Sequence, residues 1–187
     1  MGFTPEELQA ARGRHVPDVT APGLRVLFCG INPSLMTAVT GHHFARPGNR
    51  FWPVLHAAGF TPRLLAPAEQ GELPAFGVGI TNVVARATAR ADELTAEEFR
   101  EGGRLLAGKV ARLRPRWLAV AGVTAYRTAF GDRHAAIGPQ ERTLGTTRIW
   151  ALPNPSGLNA RWTVAAMAEE YGRLRAAAFD EEATPTG

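Results

Sequence analysis

Four stretches of this 187-residue chain hold side chains whose types and spacing can do chemistry. The first is Gly30-Ile31-Asn32-Pro33-Ser34, which follows an apolar run. Gly30 and Pro33 force a tight exit from that run, so Asn32 is held at its end. A carboxamide offers one acceptor and two donors. It can orient a water molecule but cannot deprotonate it strongly, because it is not a base. The plainer reading is that Asn32 caps the turn. The second stretch is Leu152-Pro153-Asn154-Pro155-Ser156-Gly157-Leu158-Asn159-Ala160-Arg161. Two prolines and a glycine fix an exposed, rigid loop with Leu158 at its tip. A lone exposed leucine needs no explanation. On a stiff loop beside arginine, it is also how minor-groove proteins wedge between stacked bases.

The third stretch, Gly41 to Trp52, mixes aromatic, basic and turn residues without apolar periodicity. Phe44 can stack on a flat ligand, and Arg46 and Arg50 can meet phosphates. Adjacent His42 and His43 diverge and lack a spaced third partner, so no metal site is expected. The fourth stretch, Thr81 to Leu94, is a polar linker carrying arginines. Asp92 is its first acid and can reach a cleft; the ordinary alternative is a solvated, helix-flanking acid.

These stretches need a frame. Four short apolar runs read as buried strands: Leu24 to Cys29, Phe76 to Ile80, Trp117 to Ala121 and Thr147 to Leu152. Helical patterns lie at Arg50 to Ala58, Thr95 to Leu113, Val123 to Ala129 and Trp162 to Phe179. The sequence TAEE at Thr95 is a capping box, and Phe99, Leu105, Leu106, Val110 and Leu113 form an apolar stripe. Thr4 to Arg14 reads as a short N-terminal helix. Alternating strands and helices predict an α/β fold with a parallel sheet covered on both faces. Ligands in such folds bind outside the carboxyl ends of the strands. Residues 1–20 are expected to form an appendage, 21–179 a single domain, and 180–187 a polar tail.

Composition narrows the classes. A chain that is 45% hydrophobic can build a core, so global disorder is excluded. One cysteine, Cys29, excludes an intrachain disulfide and a multi-cysteine metal site. No apolar run approaches the ~20 residues that span a bilayer, and MGFTPEELQA is too polar for a secretory signal. The cytoplasm is therefore the expected compartment. The net charge of +4 favours an acidic partner such as nucleic acid, though the arginine-for-lysine bias is better read as a mark of GC-rich coding.

The combination resembles the mismatch-specific uracil/thymine DNA glycosylase family, the Mug/TDG branch of the uracil-DNA glycosylase superfamily. The matching blocks are Phe28 to Leu35 (FCGINPSL), Thr40 to Trp52 (TGHHFARPGNRFW) and Leu152 to Leu158 (LPNPSGL). The likeness runs from about Val16 to Phe179. It implies a three-layer α/β/α domain around a central four-stranded parallel sheet. It implies monofunctional, hydrolytic excision of uracil, and of related pyrimidines including thymine, from mismatches with guanine, leaving an abasic site. The implied partner is duplex DNA with a G:U or G:T pair. No metal or organic cofactor, no membrane and a monomeric state are expected.

By the same resemblance, Asn32 positions the attacking water. Ile31, Ser34, Phe44 and Asn154 line the base pocket, with Phe44 stacking on the extruded base. Gly157, Leu158 and Asn159 belong to the intercalation loop. Arg161 lies close to the family's guanine-side arginine, although Asn159-Ala160 departs from the usual loop sequence. Arg46 and Arg50 are assigned to DNA binding. Ser34 stands where the family usually has glycine, and Asp92 where relatives commonly carry an amide or another polar residue. Asp92 is therefore an acid beside a water that Asn32 cannot deprotonate, and it joins Asn32 as a catalytic candidate. The alternatives are a DNA-lesion binding module without turnover and a small-molecule-binding α/β protein. The latter is disfavoured because no phosphate-cradling glycine motif follows any strand.

Overall fold

The computed structural model describes residues 2–180; the rest of the expected tail lies outside the described residues. Among the described residues five strands form one sheet: β1 Val26–Gly30, β2 Val78–Asn82, β3 Trp117–Ala121, β4 Gly138–Leu144 and β5 Thr147–Leu152. Their spatial order is β2-β1-β3-β5-β4, with the first four parallel and β4 antiparallel to β5. The expected four-stranded parallel sheet is present, but a fifth strand extends it. The sequence GPQERTL hides that strand because most of its residues are only partly covered or exposed. An edge strand with polar faces has no apolar run to betray it.

Among the described residues six α-helices accompany the sheet: α1 Pro5–Ala10, α2 Leu35–Thr40, α3 Phe51–Ala57, α4 Ala96–Leu113, α5 Val123–Phe130 and α6 Val164–Phe179. Ser34, Thr95 and Thr163 each cap the N-terminus of the helix they precede through a side-chain oxygen. Alternation along β1 divides the core. Val26 and Phe28 face Phe51, Tyr171 and Leu174 of α3 and α6. Leu27 and Cys29 face Leu106 and Val110 of α4 and Tyr126 of α5. The N-terminal segment lies against the free edge of β2, where Val19 exchanges both backbone hydrogen bonds with Ile80 at 2.8–2.9 Å. Three helical elements without a sequence signal complete the frame among the described residues: α2 itself and two 3-10 helices, Pro67–Phe76 and Ala91–Glu93, the second carrying Asp92.

Helix α4 reaches its neighbours through two glycines. A Cβ on Gly102 would lie 2.3 Å from the Val83 carbonyl oxygen, and one on Gly103 would lie 2.5 Å from that of Ala129. Backbone cannot swing aside as a side chain can. Alanine at residue 102 gains about 1 kcal/mol of helix propensity but forces α4 away from the Val83 backbone at a typical overpacking cost of about 1–3 kcal/mol. Gly102→Ala is therefore expected to lower the urea midpoint of unfolding; an unchanged or higher midpoint would contradict this packing.

Candidate active site

The carboxyl ends of β1, β2 and β5 open onto a cavity of about 430 Å³. Asn32, Ile31, Ser34, Phe44, Arg46, Asp92, Asn154, Leu158 and Asn159 all contribute to its walls. Arg50, Gly157 and Arg161 do not line it.

The chain leaves β1 at Gly30 and turns through Ile31 to Asn32. Both amide hydrogens of Asn32 are committed. Its Nδ2 donates to the Arg86 carbonyl at 3.0 Å and to Thr88 Oγ1 at 2.8 Å. Thr88 Oγ1 donates onward to the Arg90 carbonyl at 2.7 Å. Only Oδ1 of Asn32 is left to act in the cavity, as an acceptor that can align a water. Ser34 uses its hydroxyl as a helix cap, accepting from the Thr37 N–H at 3.1 Å and donating to Thr37 Oγ1 at 3.1 Å.

Phe44 has a left-handed backbone at φ 53°, a conformation that a bulky residue keeps only when its surroundings impose it. Its ring stacks on Phe51 with centroids 4.0 Å apart and planes 17° from parallel. Gly30 makes room for this wall. A Cβ there would lie 3.2 Å from Phe44 Cζ and 2.7 Å from Asn82 Oδ1.

Asn82 is a site residue that the sequence reading passed over. It ends β2, in register with Gly30, and lines the cavity. The signal was available: it is an amide at a strand's carboxyl end, as Asn32 is. Its orientation follows from His43. The buried imidazole has Nε2 at 2.8 Å from the Pro17 carbonyl, which can only accept, so Nε2 carries the proton. Nδ1 then presents a lone pair, and the Asn82 Nδ2 faces it at 3.5 Å. Asn82 therefore turns Oδ1 toward Gly30 and the cavity.

The loop after β5 is fastened to itself. Asn154 Oδ1 accepts from the Ser156 N–H at 3.0 Å, and Asn159 Nδ2 donates to the Asn154 carbonyl at 3.0 Å. Oδ1 is held by that backbone N–H, and Nδ2 is the end of Asn154 without a protein partner among the described residues. Leu158 projects with 76% of its surface exposed. Arg50, expected to meet phosphate, instead turns inward, and its two terminal nitrogens donate to backbone carbonyls of this loop. The sequence could not distinguish a strut from a phosphate contact because both use the same guanidinium.

Charge sits on the rim. Asp92 is 62% exposed at its side chain and pairs with Arg90, while none of the Asn32 amide bonds goes to it. The segment carrying it is pinned by Arg86 on Glu98; that contact, with the Thr95 N–H, holds the Glu98 carboxyl down at about 2. Arg46 and Arg161 have side chains with no protein partner among the described residues, so they are available to an anion. Among the described residues no three His, Cys, Asp or Glu side chains are grouped to hold a metal, and no helix is long and apolar enough to cross a membrane.

Two oriented amides, an aromatic ring and a projecting leucine thus line one cavity at the sheet edge of an α/β/α protein. The family model of the uracil DNA glycosylase superfamily matches residues 17–176, and the chain belongs to that superfamily. This makes it a DNA glycosylase, a hydrolase of DNA repair. The fold is similar to a solution structure from Methanosarcina acetivorans described as a candidate uracil DNA glycosylase. That similarity has 20% identity and a TM-score of 0.59, over 87% of this chain and 98% of the other.

The buried imidazole gives a pH signature. Burial, opposed by the Pro17 carbonyl, lowers the His43 pKa below its usual 6.5. Just below pH 6.5 the unfolded chain binds a proton that the folded protein refuses. Stability is thus expected to fall as pH drops through 6.5, and this loss levels off once His43 titrates in the folded state. Urea unfolding of the wild type should show a steeper decline than His43→Gln over that window. Identical slopes would contradict a buried neutral imidazole.

Proposed function

We propose that the protein excises uracil, and more slowly thymine, opposite guanine in duplex DNA, as a monofunctional enzyme of the mismatch-specific branch. The observation that carries this reading is the sharing of one cavity by the Asn32 amide, the Phe44 ring and the Leu158 loop.

A stacked base hides its glycosidic bond. Extruding the nucleotide costs a few kcal/mol, least for a mispaired base. Leu158 fills the gap and replaces lost stacking, while Phe44 supplies a new stacking face. Asn82 Oδ1 accepts the N3–H of uracil or thymine, a proton that unprotonated cytosine lacks. Asn154 Nδ2 donates to a ring carbonyl. Arg46 and Arg161 meet the DNA backbone and the guanine side.

The bond from C1′ to N1 breaks, and its electron pair leaves with the base. The sugar passes through an oxocarbenium-like state. Water held by Asn32 Oδ1 adds to C1′ and loses a proton. Asp92 supplies rim negative charge toward the developing cation and its carboxylate accepts that proton as the water adds. Lys109, the only lysine, is paired with Asp18 and Thr81 and does not line the cavity. No lysine amine is at hand to open the abasic sugar, which supports a monofunctional reaction. The reacting protein is taken to be a monomer.

Single-turnover release from G:U, A:U and G:T duplexes tests the reading, with G:U expected fastest. Asn32→Ala should lose at least about 10²-fold, the scale of a misplaced reactant. Asp92→Ala should slow release and narrow the range of bases; a wild-type rate would remove Asp92 from the mechanism. Tight binding of G:U duplex without free base would instead favour a lesion-binding module.

A further inference from the structure

We propose that Arg50 is a positioning residue for the leucine wedge: it ties the loop carrying Phe44 and the loop carrying Leu158 into one rigid jaw. This rests on the wedge role given to Leu158 above. Arg50 Nη1 donates to the Trp162 carbonyl, and Nη2 donates to those of Ser156 at 2.6 Å and Asn159 at 2.7 Å. Its backbone N–H donates to the Pro155 carbonyl at 2.9 Å. These carbonyls bracket Leu158 in sequence, two before it and two after. A loop whose carbonyls converge on one guanidinium cannot shift without breaking charge-assisted hydrogen bonds.

An independent contact joins the same two loops. A Cβ on Gly157 would lie 2.6 Å from the Gly48 carbonyl oxygen, so the backbones meet directly. Leu158 itself is largely in solvent. Its position is therefore inherited from the loop behind it. A side chain that separates stacked bases must push against something that does not yield. Because Phe44 lies on the same braced unit, insertion of Leu158 and reception of the base by Phe44 keep one relative geometry. Lysine cannot replace the fork, since a compact ammonium does not span carbonyls set apart around a plane.

The test compares single-turnover release of uracil from a G:U duplex with release from an unpaired bubble, where little stacking is lost. The readout is the duplex-to-bubble rate ratio, which a general loss of folded protein does not move. Arg50→Met is expected to lower the ratio by about tenfold, the order set by one lost stacking contact. Arg50→Lys should fall similarly, and serves alone if Arg50→Met does not fold. Leu158→Ala should lower the ratio too. Adding Arg50→Met to Leu158→Ala should lower it by less than about twofold more, because the arginine acts through the leucine.

Equal loss on both substrates, or fully additive effects, would overturn the strut. An unchanged ratio in Arg50→Met alongside a reduced one in Leu158→Ala would overturn the strut alone. An unchanged ratio in Leu158→Ala would overturn the wedge and the strut with it. No base release by the wild type would overturn the proposed function itself.

Discussion

The close approach of β1 and β2 at their carboxyl ends is the constraint from which the cleft follows. Parallel register sets Gly30 opposite Asn82. Because residue 30 has no Cβ, the Asn82 oxygen and the Phe44 ring can both occupy the space above it. Any larger residue would push the amide and the ring outward together. The β1 chain then turns at once, and the N–H groups of Val83 and Val84 reach back to the Gly30 and Ile31 carbonyls at 2.9 Å. That clasp carries the 86–90 segment over to Asn32. One missing side chain thus determines where two amides and an aromatic face meet.

The site is preorganised mainly by neutral groups. Asn32 is fixed by a carbonyl and a hydroxyl, Asn154 by a backbone N–H, and Asn82 by a neutral imidazole. None of these locks depends on a buried ion pair, whose desolvation would be costly. Each lock holds one end of an amide that lines the cavity and leaves the other end without a protein partner among the described residues. An amide without such a partner can present either end and reads nothing. The groups behind Asn32, Asn82 and Asn154 therefore create the donor and acceptor pattern that the cavity presents.

Much of this was legible in the sequence. Trp117–Ala121 and Thr147–Leu152 coincide with the strands found, since an apolar run between turns has little alternative to burial. Pro33, Pro153 and Pro155 marked the two strand exits that bear Asn32 and Leu158. What stayed hidden depends on tertiary partners. The edge strand Gly138–Leu144 is too polar to stand out. Arg50 has the same chemistry as a strut or as a phosphate ligand, and only the carbonyls around it decide between them. His43 looked like half of an improbable metal site, whereas its meaning lies in Pro17 on one side and Asn82 on the other.

The separation of neutral and charged groups bears on how such a site discriminates. Under the proposed function, Asn32 orients water without deprotonating it, and the acid within reach stands on the exposed rim beside Arg90. Chemistry on a poorly leaving base is then intrinsically slow. Slow chemistry lets a well-paired base return to the stack before its bond breaks, while a mispaired one returns less readily. Selection thereby moves from the pocket walls to the extrusion step. A pocket can distinguish a methyl group by only about 1–3 kcal/mol, a margin comparable with what mispairing already supplies. The rigidity of the loop behind Leu158 and the weakness of the base beside Asn32 are in this sense parts of one arrangement: the first holds an extruded nucleotide out, and the second ensures that only a nucleotide held out long enough is cut.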